Sequence, residues 1–401
     1  MARYQSVDAL QNLLAEEIFH QSVSPKKAAG RALGTLVELV TFYMIRDWGL
    51  ETSLAIERGL PEYGNAEITH NVEFSLHPAS VTTSVPIIDR TKTLTPTQIL
   101  AAARSAGLQV GQKRGNAALL KGNVLRHATV FAEAEGGFWV AHMVGDSADM
   151  EITRLKTKPY AMVECKRVGV EQGMKKGPQT IEKAKQGAYV ARTVSGLQRV
   201  PRSDGSVAAV VEDQKGKLQH YESYYDFLRN AIDQGDVNAL ANIVLTIGVV
   251  SNHGNWFTAE TKNKEMRVLA QSYDWLLFFT DDGLAEFIED VLNGDQDELK
   301  ATRAAFRANV GRAKGEPTVF TKVQIEAEAD RELTEYFARE QPWDRWFNVI
   351  APAPSDVATA REAEADDSLN MLEKAGRYVA LAELKKDLHT LKVLHEQEAE
   401  Q

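Results

Sequence analysis

VGDSADMEITRLKTKPYAMVECKRVGVEQGMKKGPQTIEKAKQGAYVAR, residues 144–192, decides how this chain is read. The stretch reads as strand, turn, strand, basic loop and helix. Asp149 opens one strand pattern, followed by Met150 and Ile152. Tyr160 to Cys165 forms the second, which carries Glu164 and ends at Lys166. Side chains two apart on a strand share a face. Glu164 and Lys166 therefore point one way, and Cys165 points the other way, into the core. The pattern predicts that Asp149, Glu164 and Lys166 gather at one edge of a small sheet.

The surrounding charge suits that grouping. The chain of 401 residues carries a net charge of −10, unevenly spread. Residues 1–200 hold 24 Lys and Arg against 19 Asp and Glu, whereas 201–401 hold 22 against 37. Within 154–199 there are eleven basic residues and three acidic ones. A positive field beside carboxylates favours a polyanionic substrate; an exposed, solvated lysine-rich face is the plainer alternative.

Composition bounds the rest. Hydrophobic content of 44% and charged content of 25% are ordinary for a globular chain. One cysteine, Cys165, excludes an intramolecular disulfide and a cysteine-rich zinc site. A reducing, cytoplasmic setting is the expectation. No window approaches 18 uninterrupted apolar residues, so no membrane span is expected. The first nineteen residues read as an amphipathic helix and not as a signal peptide.

Outward from the focal stretch, residues 28–48 read as a nearly apolar, buried helix with Glu38 in its middle. A buried carboxylate needs a partner: an ion pair with Arg31 or Arg46, or a metal. Residues 50–90 alternate as strands. Thr95 and Pro96 are the N-cap and first residue of a helix that Gly107 ends. The basic segment after it, with Lys113 and Arg114, resembles the second half of a helix-turn-helix-like DNA-reading element. Phe138–Val144, Ile243–Val250 and Asp274–Thr280 are strand candidates, the second buried on both faces. Residues 179–195 read as a helix opened by Pro178. Beyond 295 the pattern is helical and acidic, with a linker at 351–355. A tail helix over 366–397 places Leu381, Leu384, Leu388 and Leu391 at three- and four-residue spacing, for docking on the body or for a dimer contact. The chain thus divides into three regions: 1–130, helical and strand-bearing with a DNA-recognition element; 131–295, an α/β catalytic core with helix 28–48 packed on it; and 296–401, helical and acidic.

Phosphodiester hydrolysis needs an activated water, a neutralised phosphate and a stabilised leaving oxygen. Carboxylate-bound Mg²⁺ supplies all three. In this reading Asp149 and Glu164 bind the metal, and Lys166 orients the water and offsets phosphate charge. Asp146, in a Gly-Asp-Ser turn, competes for the aspartate role. Glu-x-Lys occurs four times, at Glu164, Glu260, Glu298 and Glu383. Only the first combines an acidic residue fifteen positions upstream, an apolar strand leading in and a basic helix leading out. A Gly145-Asp146-Ser147 esterase reading fails for want of an Asp-x-x-His partner. His253 lacks companions for a histidine-metal nuclease.

The order strand 138–144, Asp149, strand 160–166, helix 179–195 and strand 243–250 resembles the PD-(D/E)xK nuclease superfamily, and type II restriction endonucleases most. The resemblance covers about residues 138–250. It implies an α/β restriction-endonuclease-like core with a mixed central sheet flanked by helices, here with helical additions at the C-terminus. It also implies Mg²⁺-dependent cleavage of double-stranded DNA, a homodimer and a cognate DNA methyltransferase as genetic partner. Asp149, Glu164 and Lys166 are the catalytic residues so implied, with Asp149, Glu164 and Glu38 around the metal. Gln186 and Tyr189 echo a Gln and Tyr pair of RecB-like relatives at a spacing one residue too short. Arg167, Lys175, Lys176, Gln179 and Lys183, with Lys113 and Arg114, are the candidate DNA contacts, the lysines to phosphate. A repair-type nuclease, or a DNA-binding protein whose charges form structural ion pairs, are the alternatives.

Overall fold

The computed structural model describes residues 12, 14–18, 25–66, 68, 71–87, 91–144, 149–167, 178–204, 206–251, 269, 272–279, 281–293, 297–311, 319–340, 343–350 and 378–400. The fold is mixed α/β. It divides into two compact units, each assembled from separated pieces of chain: 1–58, 73–159 and 284–342 form one, and 59–72, 160–283 and 343–401 the other. The boundaries at 130 and 295 expected from sequence do not coincide with this division, which cuts the focal stretch at Pro159.

In the first unit, helix α1 (Pro25–Asp47) is followed by strands β1 (Leu54–Arg58), β2 (Val72–Leu76) and β3 (Ala79–Pro86), helix α2 (Pro96–Ser105), and strands β4 (Leu120–Lys121), β5 (Val124–Arg126), β6 (Thr129–Ala134), β7 (Gly137–Met143) and β8 (Asp149–Lys156). Within α1, residues 28–47 are long and apolar enough to cross a membrane, and most of that window is buried, as befits a core helix. Helix α2 starts as its sequence dictates. Thr95 and Gln98 form a reciprocal capping box with Pro96 at the first position, and Gly107 leaves the last turn in the left-handed region.

The segment after α2 is not a second helix. Residues 108–118 are not helical, and 111–114 lie beside β6: Gly111 and Arg114 donate to the carbonyls of Glu133 and Phe131, and Lys113 bridges Ala132. A side chain at Gly111 would collide with the Glu133 carbonyl. The expected helix-turn-helix-like element is therefore corrected to one helix and one edge segment. Gly107, Gly111 and Gly115 are poor helix formers, and Gly107 and Gly115 take left-handed backbone conformations that no helix accepts.

Strands β3-β8-β7-β6 form an antiparallel sheet. Its core joins Ile99 and Leu100 of α2 to Phe131, Trp139, Ala141 and Ile152.

In the second unit, β9 (Ala161–Arg167) leads to helix α3 (Pro178–Val194), a meander of β10 (Leu197–Pro201), β11 (Val207–Glu212) and β12 (Leu218–Tyr221), helices α4 (Tyr224–Gln234) and α5 (Val237–Leu240), and strands β13 (Leu245–Ser251) and β14 (Trp275–Phe279). Helix α6 (Asp281–Phe287) comes next. The remaining elements of the first unit are α7 (Lys300–Gly311), β15 (Gln324–Glu326) and α8 (Ala327–Glu340). Those of the second are α9 (Trp343–Trp346), β16 (Phe347–Ile350), β17 (Tyr378–Val379) and α10 (Leu381–Glu400).

Five strands of this unit lie in the order β9-β13-β14-β16-β17. β9, β13 and β14 pair in parallel, and β16 pairs antiparallel with both β14 and β17, so the sheet is mixed. The apolar runs read from sequence are its central strands; every residue of β14 is buried, as a strand covered on both faces must be. Helix α3 packs on β9 through Val190, Ala191 and Val194 against Met162 and Val244. Helix α10 buries Leu381, Leu384, Leu388 and Leu391 and docks by an Arg229–Asp387 ion pair at 2.8 Å.

Candidate functional site

β8 begins at Asp149, the strand entry expected from the alternation after it. Asp149 pairs with Pro86 on β3 and accepts a hydrogen bond from the Ser84 hydroxyl at 3.3 Å. Glu164 and Lys166 lie on β9 in register with Gly248 and Val250 of β13. The expectation of one small sheet carrying all three residues is corrected: β8 and β9 belong to different sheets. The reason is ladder occupancy. β8 is bonded along its length on one side by β3 and on the other by β7, leaving no free edge for β9. Pro159, which has no N–H to offer, breaks the run between them.

Glu164 is 2% exposed, a rare setting for a carboxylate. Helix α3 crosses over it with a glycine: a Cβ at Gly187 would lie 2.5 Å from Glu164 Cβ and 2.8 Å from its Cδ. On the neighbouring strand, its register partner Gly248 is covered by Tyr273, whose ring a Cβ at 248 would meet at 2.6 Å. Burial, then the Glu164 charge, push the Tyr273 phenol well above its ordinary value, and the backbone of Ala188 on α3 bonds it.

A buried ion network frames this arrangement. Asp274, next to Tyr273, is fully buried. It accepts from Arg192 of α3 at 2.7 Å, Arg199 of β10 at 2.9 Å, the Thr246 amide at 2.8 Å and hydroxyl at 2.6 Å, and the Tyr224 hydroxyl. Burial alone would raise the Asp274 carboxyl, but Arg192 and Arg199 hold it well below the usual carboxylate range. Burial also pushes the Tyr224 phenol up to about 12. One carboxylate thus ties α3, β10, α4 and β13 to the residue that covers Gly248.

Glu38 has a partner that was not weighed from sequence. Its carboxylate is 2.6 Å from Lys322 Nζ, while Arg46 bonds Glu51 and Asp330. Lys322 also pairs with Glu57 at 3.1 Å and with Glu73. Glu57 is held at φ +49°, a conformation unusual for a side chain of its kind. The structure therefore gathers Glu38, Glu57 and Glu73 about one ammonium.

The other expected contacts scatter. Arg114 makes a loose, exposed pair with Glu133 at 3.9 Å. Arg167 ends β9, and Gln179 and Lys183 lie in the first turns of α3. Gln186 and Tyr189, further along α3, are exposed. Lys175, Lys176, Asp146, Ser147 and His253 lie outside the described residues. Among the described residues, no three carboxylate, imidazole or thiolate side chains are grouped to hold a metal ion.

Sequence reasoning missed Gly187, Gly248, Tyr273 and Lys322. A glycine inside a helix and one inside an apolar strand are the legible hints of close approach; nothing in the local sequence marks Tyr273 or Lys322.

Comparison with protein-family models, curated proteins and solved structures yields no match.

Proposed function

We propose that this protein is an Mg²⁺-dependent endonuclease acting on double-stranded DNA at a specific sequence, in a restriction-modification setting with a homodimeric enzyme and a cognate methyltransferase. The observation that carries this reading is Glu164. A buried glutamate, two residues before a lysine, sits on a parallel strand of a mixed sheet, with the next helix packed over it. A structural ion pair does not require a helix glycine to make room for the acid.

The donor chemistry fits a hard cation that takes carboxylate oxygens. Glu164 is the proposed ligand on β9, and Asp149 and Glu38 are the further ligands that the resemblance implies. Bound there, Mg²⁺ supplies a polarised phosphoryl oxygen and an acidified water. Lys166 offsets phosphate charge and orients the water. Arg167, Lys175, Lys176, Gln179 and Lys183, with Lys113 and Arg114, are the proposed contacts to the duplex, the lysines mainly to phosphate.

The test is incubation of the full chain with plasmid and phage DNA, methylated and unmethylated, with Mg²⁺. Discrete fragments support a restriction enzyme. Progressive or end-dependent degradation points to a repair-type nuclease of the same chemistry. Absence of Mg²⁺-dependent cleavage on every substrate overturns the enzymatic reading in favour of a DNA-binding protein.

A further inference from the structure

The Glu164 side chain lies against a surface on which three residue choices are unexpectedly restrictive. Gly187 faces it from α3, Gly248 lies beside it on β13, and the Tyr273 ring fills the space over Gly248. Separations of 2.5 to 2.8 Å to a built Cβ are ones that real Cβ atoms essentially never show. Alanine at either glycine must therefore displace what lies opposite. At 187 that is the glutamate side chain; at 248 it is the tyrosine ring. Both glycines have non-positive φ, so neither is explained by a left-handed backbone. What remains is space.

The frame around them is stiff. Asp274 fixes the chain next to Tyr273, and its Arg192 partner lies on α3 five residues after Gly187. A carboxylate packed this way has few rotamers open to it, because the helix backbone occupies the volume that other rotamers would need. A carboxylate that works on a phosphodiester benefits from that restriction, since its geometry is set before substrate arrives.

We infer that Gly187, Gly248 and Tyr273 form a positioning clamp that holds the Glu164 carboxylate in one orientation on the β9 face. The assignment of a catalytic use to that carboxylate rests on the nuclease reading; the clamp itself does not. Tyr273 and the two glycines act through Glu164 and are positioning residues.

Two arms test this on the full chain. In the first, the protein is labelled with 3-fluorotyrosine and followed by ¹⁹F NMR, the Tyr273 signal being assigned by its loss in Tyr273→Phe. Glu164→Gln changes the group packed beside the ring, so the Tyr273 signal moves. A signal that Glu164→Gln leaves unmoved overturns the clamp.

In the second arm, single-turnover DNA cleavage and DNA binding are measured separately. Gly187→Ala lowers the cleavage rate by roughly 100-fold, the usual cost of a misplacement near 1 Å, while binding stays within about twofold of wild type. Should Gly187→Ala fail to fold, as read by circular dichroism, the ring-deleting Tyr273→Leu takes its place. It loses the rate in the same proportion, and the conservative Tyr273→Phe restores it. Cleavage unchanged in Gly187→Ala or Tyr273→Leu overturns the clamp. A wild-type protein that cleaves no DNA overturns the nuclease reading alone, and the fluorine arm then decides the clamp.

Discussion

The ammonium of Lys322 lies 2.6 Å from the Glu38 carboxylate, across 284 residues of sequence. Glu57 and Glu73 share the same ammonium, so one lysine, itself 5% exposed at the side chain, balances three acids. Removing it leaves like charges facing one another. Lys322→Met is expected to lower unfolding free energy by about 2–3 kcal/mol, less than for a fully buried pair because Glu57 is half exposed. Burial alone would lower the Lys322 ammonium, but Glu38 and Glu73 hold it far above the usual lysine value. A raised ammonium stabilises fully below its unfolded value near 10.4 and loses that contribution as pH climbs past it. Urea midpoints at pH 8, 10 and 11 check this: wild type falls above pH 10, and Lys322→Met falls less.

Asp274 gives the opposite sign. Its carboxyl is depressed by Arg192 and Arg199, so its contribution is present above the unfolded value near 3.9 and is lost as pH falls below it. Asp274→Asn leaves two arginines and the Tyr224 hydroxyl facing a neutral amide. We expect a loss on the order of 3–5 kcal/mol, the range for breaking one side of a buried ion pair, read as a fall in the urea midpoint. The gap between variant and wild type should begin to narrow below about pH 4 and still be open at pH 3. A midpoint equal to wild type at neutral pH contradicts the role given to this network.

Two buried histidines set an acid limit at milder pH. His77 donates from Nδ1 to the Lys156 carbonyl at 2.8 Å and accepts from Ser75 at Nε2. His142 donates from Nδ1 to the His127 carbonyl at 3.2 Å. Burial lowers them to about 3 and about 4 respectively. Depressed imidazoles stabilise the fold above the unfolded value near 6.5 and cost stability as pH falls from there toward those folded values. Stability is expected to be flat from pH 7 to 8 and to decline by a few kcal/mol between pH 6.5 and 4. His142→Gln should flatten part of that slope; an unchanged slope contradicts the assignment.

Elements whose cause is local were legible in the sequence. The Thr95–Pro96–Gln98 start of α2, Pro178 at the head of α3, and the apolar run of β13 all act within a few residues. Strand entry at Asp149 was legible for the same reason. Pairing was not. Whether β9 joins β8 or β13 depends on which edges are already occupied, and β3, whose Ser84 lies 65 residues before Asp149, takes the one beside it. The same holds for the partner of Glu38, since Lys322 stands in an unremarkable Thr-Lys-Val run. The segment after α2 misled through its basic residues, which suit a DNA-reading helix in charge, whereas its glycines, two of them at positive φ, do not suit a helix. In the tail helix, the leucine spacing allowed docking or a dimer contact; the burial of Leu384 and Leu388 shows docking within the second unit.

Four Glu-x-Lys tripeptides in one chain provide their own controls. Glu298-Leu-Lys300 opens α7 and Glu383-Leu-Lys385 lies in α10, whereas Glu164-Cys-Lys166 lies on β9. The most direct measurement is the Mg²⁺-dependent cleavage rate of DNA by wild type, Lys166→Ala, Lys300→Ala and Lys385→Ala, each first shown to be folded. The account predicts that Lys166→Ala loses at least about 100-fold, as removal of a group stabilising transition-state charge does, and that the other two cleave as wild type does. Equal rates in all four proteins, or no cleavage by any, would contradict it.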